Sequence, residues 1–197
     1  MSTWLSLFAV LFVVISAASL LVFQAYTGVP SLPSSASEAA DVIALLRRAG
    51  LKDRAKIYDL GSGWGTLVVA LARAFPAAEV HGIEVSPLPY LVARVRTWKL
   101  ANVSLIYKDF TKAAPGDADA VTCYLMTDTM RGVARLPDAT LAAGTLVVSI
   151  TFWFRGRTVC ATRQAPMRGA VALYQWPALA AVSPEITSSV ASIFSTS

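Results

Sequence analysis

The first 37 residues, Met1 to Ser37, contain no Asp, Glu, Lys, Arg or His. A stretch with no charged side chain cannot supply the solvated face of an ordinary surface helix. The whole chain has only two cysteines, Cys123 and Cys160, and one histidine, His81. So few thiols exclude a disulfide framework, and no Cys/His grouping has metal-ligand spacing, so no metal is expected. Cys123 reads as a small core residue. His81 falls inside a strand-like segment rather than at its end and is expected to be structural. The positions also motivate no Ser/His/Asp catalytic set, and no internal repeat is visible.

What is present at the amino end is apolar. Hydrophobic residues make up 55% of the 197 and the mean hydropathy is +0.57. Trp4 to Phe23 form about 20 mostly apolar residues, enough to cross a bilayer as a helix. We read residues 1–25 as a single transmembrane anchor. A cleavable signal peptide would carry a basic flank and a shorter apolar core, and a buried core helix would be shorter. Arg47, Arg48, Lys52, Arg54 and Lys56 follow the anchor while its amino flank has no base. The positive-inside rule therefore predicts a single-pass membrane protein whose domain lies in the cytoplasm. The net charge of +5 is carried by scattered bases. That pattern suits a domain held beside anionic lipid better than a nucleic-acid surface, so the bilayer is an expected partner and nucleic acid is not.

The rest of the chain divides into a connector (26–37) with prolines and small polar residues, a domain (38–176) and an Ala- and Ser-rich tail (177–197). Glu38 to Leu51 has the apolar spacing of an amphipathic helix, ended by Gly50. In Ile57–Leu67, IYDLGSGWGTL, a buried strand end runs into Gly61, Gly63 and Gly65 and then into an apolar helix, Thr66 to Ala74. Closely spaced glycines let the backbone turn sharply and approach a ligand. A dinucleotide fingerprint would need its third glycine at position 66, where Thr66 stands. The loop is instead GxGxG, with Asp59 at the strand end and Glu84 (GIEVSP) ending the next strand. A helix over Leu88–Leu100 and strands over Val103–Tyr107, from Asp119 and from Gly144 continue the alternation. Thr158–Thr162 and Ala170–Tyr174 are expected to pair antiparallel at the sheet's edge.

Asp59, Gly61, Ser62, Gly63 and Gly65 together with Glu84 resemble motif I and the following acid of class I S-adenosylmethionine-dependent methyltransferases. Further matches sharpen the likeness: Val29-Pro-Ser-Leu-Pro-Ser, the Val121-Thr-Cys-Tyr-Leu strand and Gly144-Thr-Leu-Val-Val-Ser. With the charge-free anchor, they resemble a family of small membrane-anchored protein-lysine methyltransferases, whose mitochondrial members modify the ATP synthase c-subunit and the adenine nucleotide translocase. The resemblance implies an α/β fold, a Rossmann-like class I methyltransferase sheet behind an N-terminal transmembrane helix, with S-adenosyl-L-methionine as cofactor. It implies Glu84 on the ribose hydroxyls, Asp59 near the positively charged methionine end, Asp109 at the adenine amino group and Phe110 against the ring. It also implies a connector folded over the pocket. Trp64 and Thr66 depart from the family's usual acid and base.

Methylating a lysine needs a neutral amine in an apolar slot. Tyr124, Thr127 and Asp128, after the fourth strand, are the candidate catalytic residues, with Trp153 and Pro30 or Pro33 near by. Asp128 could orient the amine or simply cap a helix. The expected activity is N-methylation of a lysine on a membrane-associated protein. The alternatives are a methyltransferase of a lipid or small amphiphile, and a non-catalytic cofactor-binding module.

Overall fold

The computed structural model describes residues 2–27, 34–113, 115–124, 140–154, 156–164 and 170–177. Helix α1 runs Ser2–Thr27 and α2 runs Ala36–Arg48. Then come β1 (Lys56–Leu60), α3 (Thr66–Ala74), β2 (Glu79–Glu84), α4 (Pro87–Thr97), β3 (Val103–Tyr107) and β4 (Ala120–Cys123). The last strands are β5 (Leu146–Ile150), β6 (Ala161–Gln164) and β7 (Ala170–Gln175).

Seven strands form one sheet in the order β3-β2-β1-β4-β5-β7-β6. The pairs among β1 to β5 are parallel, and β7 pairs antiparallel with both β5 and β6. Parallel strands linked by crossover helices put their carboxyl ends on one rim, and the order reverses beside β1, between β2 and β4. The central strands are apolar on both sides. Ile57, Val80, Ala120 and Val148 pack with Val42, Leu45 and Leu46 of α2 and Leu67, Val68 and Leu71 of α3. Leu60, Ile83, Val121 and Val147 pack on the other side with Phe154, Tyr174 and Trp176.

Helix α2 starts two residues before the expected Glu38 because Ser35 caps it. The Glu38 N–H donates to Ser35 Oγ (3.2 Å), and the Ser35 N–H donates to Glu38 Oε2 (2.7 Å). This reciprocal pair satisfies two backbone donors at the helix start. Helix α4 ends before the expected Leu100. The Thr97 hydroxyl donates back to Ala93 O (2.9 Å) and the Leu100 N–H to Thr97 O (2.8 Å), which tightens the chain into a turn. Strand β6 begins at Ala161, three residues later than expected, although the Cys160 N–H already reaches Leu173 O (2.8 Å). Asn102 directs its amide at Ala72, Phe75 and Ala78 carbonyls (3.1–3.3 Å) and so ties the end of α3 to the approach to β3.

Helix α1 contains a stretch, Thr3–Val22, long and apolar enough to cross a membrane, with mean hydropathy 2.7 and none of its most apolar window buried against the domain. It packs against α4.

Candidate functional site

The carboxyl end of β1 and the loop to α3 set the geometry. Gly61, Gly63 and Gly65 all take positive φ (73°, 51° and 74°). At Gly65 the requirement is double: the left-handed conformation disfavours a side chain, and a Cβ there would lie 2.9 Å from Ala93 Cβ on α4. The loop is anchored to β2, since the Gly61 and Ser62 N–H groups both donate to Ile83 O (2.9 Å each). A Cβ on Gly82 would lie 3.0 Å from Ser62 Oγ and closer still to Leu105 and Val68, so the neighbouring strand must stay bare there.

Glu84, at the end of β2, is buried and faces this loop. Its Oε2 accepts from the Gly63 N–H (2.7 Å), and its Oε1 accepts from the Ser86 and Val85 N–H groups (2.7 and 3.1 Å). A carboxylate offers about four acceptor directions, so one on Oε2 is left for a ligand hydroxyl. Asp59 is 3% exposed and accepts from the Thr122 hydroxyl (2.8 Å), its register partner on β4. Burial pushes its carboxyl up to about 7; the Thr122 hydrogen bond opposes this and the nearby Glu84 charge adds to it. Two acids side by side at the strand-end rim fit a ligand that brings positive charge and hydroxyl donors. Ser62 Oγ, buried without a hydrogen-bond partner among the described residues, adds an unused polar group at the same loop.

The other expected residues are placed less uniformly. Asp109 follows β3 but uses Oδ1 to cap a 3-10 turn over Phe110–Lys112, accepting from the Thr111 N–H and hydroxyl (2.9 and 2.7 Å). Phe110 packs on the core side of the sheet that holds Leu60 and Ile83. Tyr124, just past β4, is half-buried against the opposite core. Thr127, Asp128, Pro30 and Pro33 lie outside the described residues. Trp153 is partly exposed after β5, its indole N–H pointing at Ala170 O at 3.4 Å. His81 stacks on Tyr58 (4.7 Å between ring centres, 18° apart) within β2. Cys123 is buried, its thiol pushed up to about 12 chiefly by that burial. Such a thiol stays protonated and is no nucleophile.

Two residues at this rim carry no signal in the sequence. Thr122 matters only through its register with Asp59. Thr151, one residue past β5, has φ 69°, unusual for a β-branched residue, and its buried Oγ1 has no partner among the described residues. Ser149 Oγ donates to the Phe152 carbonyl across this turn. Strain of this kind gathers at ligand sites.

A reversed strand order, an antiparallel β7 inserted beside β5 and an acid-edged glycine loop at the switch point define a class I S-adenosylmethionine-dependent methyltransferase. Residues 59–179 match the sequence model of the ANTKMT methyltransferase domain. The chain belongs to that family. A protein-lysine N-methyltransferase of Saccharolobus islandicus (strain REY15A) is 27% identical over 137 residues, 65% of this chain and 81% of that protein. Among solved structures, an RNA methyltransferase from Salinibacter ruber bound to S-adenosyl-L-homocysteine superposes with TM-score 0.66 at 25% identity, covering 78% of this chain and 97% of that one. Magnesium protoporphyrin IX methyltransferase from Synechocystis PCC 6803, with its methyl donor bound, gives TM-score 0.56 at 18% identity over 70% of this chain and 76% of that one. The cofactor is S-adenosylmethionine.

Proposed function

We propose that this protein N-methylates a lysine side chain of a membrane-associated protein. The observation that carries the lysine assignment is the match to a protein-lysine N-methyltransferase across four-fifths of that enzyme, within a family whose domain spans the acid-edged loop. The membrane assignment is supported by α1, with its charge-free Thr3–Val22 stretch. Bases from Arg47 onward support a cytoplasmic domain (38–176) behind the anchor (1–25) and the connector (26–37), with 177–197 as a tail.

In this reading Glu84 accepts a ribose hydroxyl at the open direction of Oε2. A second hydroxyl would displace its longest bond, from Val85 (3.1 Å). Asp59 offsets the positive charge at the methionine end, and the Gly61–Gly65 turn with Ser62 lets the backbone lie against the ligand. Phe110 lies along the adenine ring, with Asp109 at its amino group through the oxygen that Thr111 does not use. When bound, S-adenosylmethionine supplies the methyl group: the amine lone pair forms the N–C bond as the S–C bond breaks and its electron pair stays on sulfur. The chain's task is to present a neutral amine. In this reading Tyr124, half-buried past β4, and Trp153, past β5, are the aromatic groups set beside the amine, where desolvation would disfavour the ammonium form. Thr127 and Asp128 complete the set proposed around the amine.

The test is transfer of labelled methyl from S-adenosylmethionine into membranes by the full chain and by Asp59→Ala, with protein, extractable lipid and RNA separated before hydrolysis. Label recovered as methyl-lysine, and lost in the variant, is the expected result. Label in lipid or RNA instead would overturn the lysine assignment.

A further inference from the structure

Helix α4 covers the β2–β3 edge of the sheet, yet its outer side is left bare. Leu91, Val95 and Trp98 are 58%, 72% and 77% exposed. Spacings of four and three residues put them on one stripe of the helix and its last turn. Tyr107, on the edge strand beside it, is 52% exposed. Exposed apolar residues scattered singly are ordinary, but an aligned stripe of this size marks a contact surface.

Charge restricts what that contact is. Residues 85–108 contain four bases and no acid. One of the four is engaged inward: an Arg96 Nη donates to the Trp64 carbonyl (2.8 Å) and to the Thr66 hydroxyl (2.9 Å), tying α4 to the glycine loop. Arg94, Lys99 and Lys108 are exposed around the stripe. Lys99 Nζ lies 4.9 Å from the Trp98 ring centre, an ammonium held over an indole. Aromatic and aliphatic groups flanked by cations match the boundary between acyl chains and anionic headgroups.

Helix α1 supplies the second observation. It packs against α4, and among its described side chains only Ser16, Ser19 and Leu20 are shielded from full exposure. Counting back from Val22, the end of the apolar stretch, Leu20 and Ser16 sit about 3 and 9 Å along the helix axis. Interfacial helices bury their apolar side to about 5–10 Å. A helix resting against that part of α1 lies at that depth.

We propose that α4 is a second membrane contact, its Leu91, Val95 and Trp98 stripe seated in the headgroup boundary of an anionic bilayer. This rests on the reading of α1 as membrane-spanning, and the test separates the two. The full chain is reconstituted into phosphatidylcholine vesicles with and without phosphatidylglycerol. A nitroxide is attached at one position at a time: Val95→Cys or Val13→Cys in a Cys160→Ser background, or native Cys160, exposed near the far β6 edge. Collisions with dissolved oxygen, which concentrates in lipid, are compared with those of a water-soluble nickel chelate.

The expected oxygen-to-nickel ratio is highest at Val13, intermediate at Val95 and several-fold lower at Cys160. The Val95 value should fall when phosphatidylglycerol is omitted. A Val13 probe in lipid with a Val95 probe as wet as Cys160 would overturn the α4 contact and leave the anchor standing. Probes wet at both positions would overturn both readings. A Val95 probe shielded from both quenchers would mean that protein covers the stripe, and would also overturn the proposal. An unchanged Val95 ratio without phosphatidylglycerol would remove the role given to the bases.

Discussion

On the proposed reading, Asp59 is the residue on which stability and binding pull in opposite directions. Its carboxyl rises from 3.8 to about 7 in the folded chain, first because it is buried. A raised folded value means a contribution to stability that is complete below the unfolded pKa and is lost as pH rises through about 7. Asp59→Asn should therefore leave the cofactor-free protein more stable than wild type at pH 8, by roughly 2–4 kcal/mol at most, with the gap closing toward pH 4. Denaturant titrations at the two pH values measure this, and equal stabilities at pH 8 would show that the burial cost is absent. The same group should make S-adenosylmethionine affinity rise with pH through about 7, as the carboxylate forms, while the Asn variant gives a weaker and flatter profile. Glu84 makes a separate prediction. Glu84→Ala should weaken cofactor binding by about 1–3 kcal/mol by calorimetry, and unchanged affinity would dismiss it as a ribose ligand. At this scale the sequence shows which residues gather where chemistry and spacing coincide: Asp59, the glycines and Glu84 meet at the β1 rim, and their contacts with a ligand are what the variants above test. It is silent on Thr122, whose importance is a matter of strand register, and on Thr151, whose φ no residue type announces. Asp109 shows a further limit: the acid expected at a ligand is also the cap of a turn two residues long in its reach, and both uses look alike in sequence.

Among the elements, α2 holds the sheet's β5–β7 side. Val42, Leu45 and Leu46 are at most 1% exposed, so the helix is bound by its apolar side rather than by intrinsic propensity. Leu46→Ala should cost about 2–5 kcal/mol, and Ser35→Ala about 1 kcal/mol through the lost cap. Denaturant midpoints at unchanged slope would check both; a Ser35→Ala protein as stable as wild type would mean the capping pair contributes nothing. Apolar periodicity places the start of this helix at Glu38, two residues late, whereas the Ser35-to-Glu38 spacing is itself a helix-start signal in the sequence. Strand β6 is the converse case. Neither Thr158 to Thr162 nor Ala161 to Gln164 alternates in hydrophobicity, and only pairing with β7 selects the register. The inner strands β4 and β5 are easier to place, since nearly all their residues are buried and their apolar runs are long.

For the molecule as a whole, α1 and the domain are expected to be separable. Deleting Met1 to Phe23 should leave the domain with only the shallow, salt-sensitive α4 contact, so that a high-salt wash frees it from membranes; S-adenosylmethionine affinity should stay within a few-fold of the full chain, while methylation of bilayer-held lysine falls with the lost local concentration. Sedimentation after a high-salt wash and calorimetry report the two halves of that statement. A truncated chain still pelleting with membranes after that wash would mean that α1 is not the sole spanning anchor. Helix α1 ends at Thr27 and α2 begins at Ala36. Nine peptide steps reach at most roughly 30 Å. With α1 in a bilayer, the catalytic rim can then sample only a thin layer of space above the lipid. Such an enzyme would choose its lysine by height. A side chain on a short loop near the surface would be within range, and the same side chain on a tall extramembrane domain would not, whatever residues surround it.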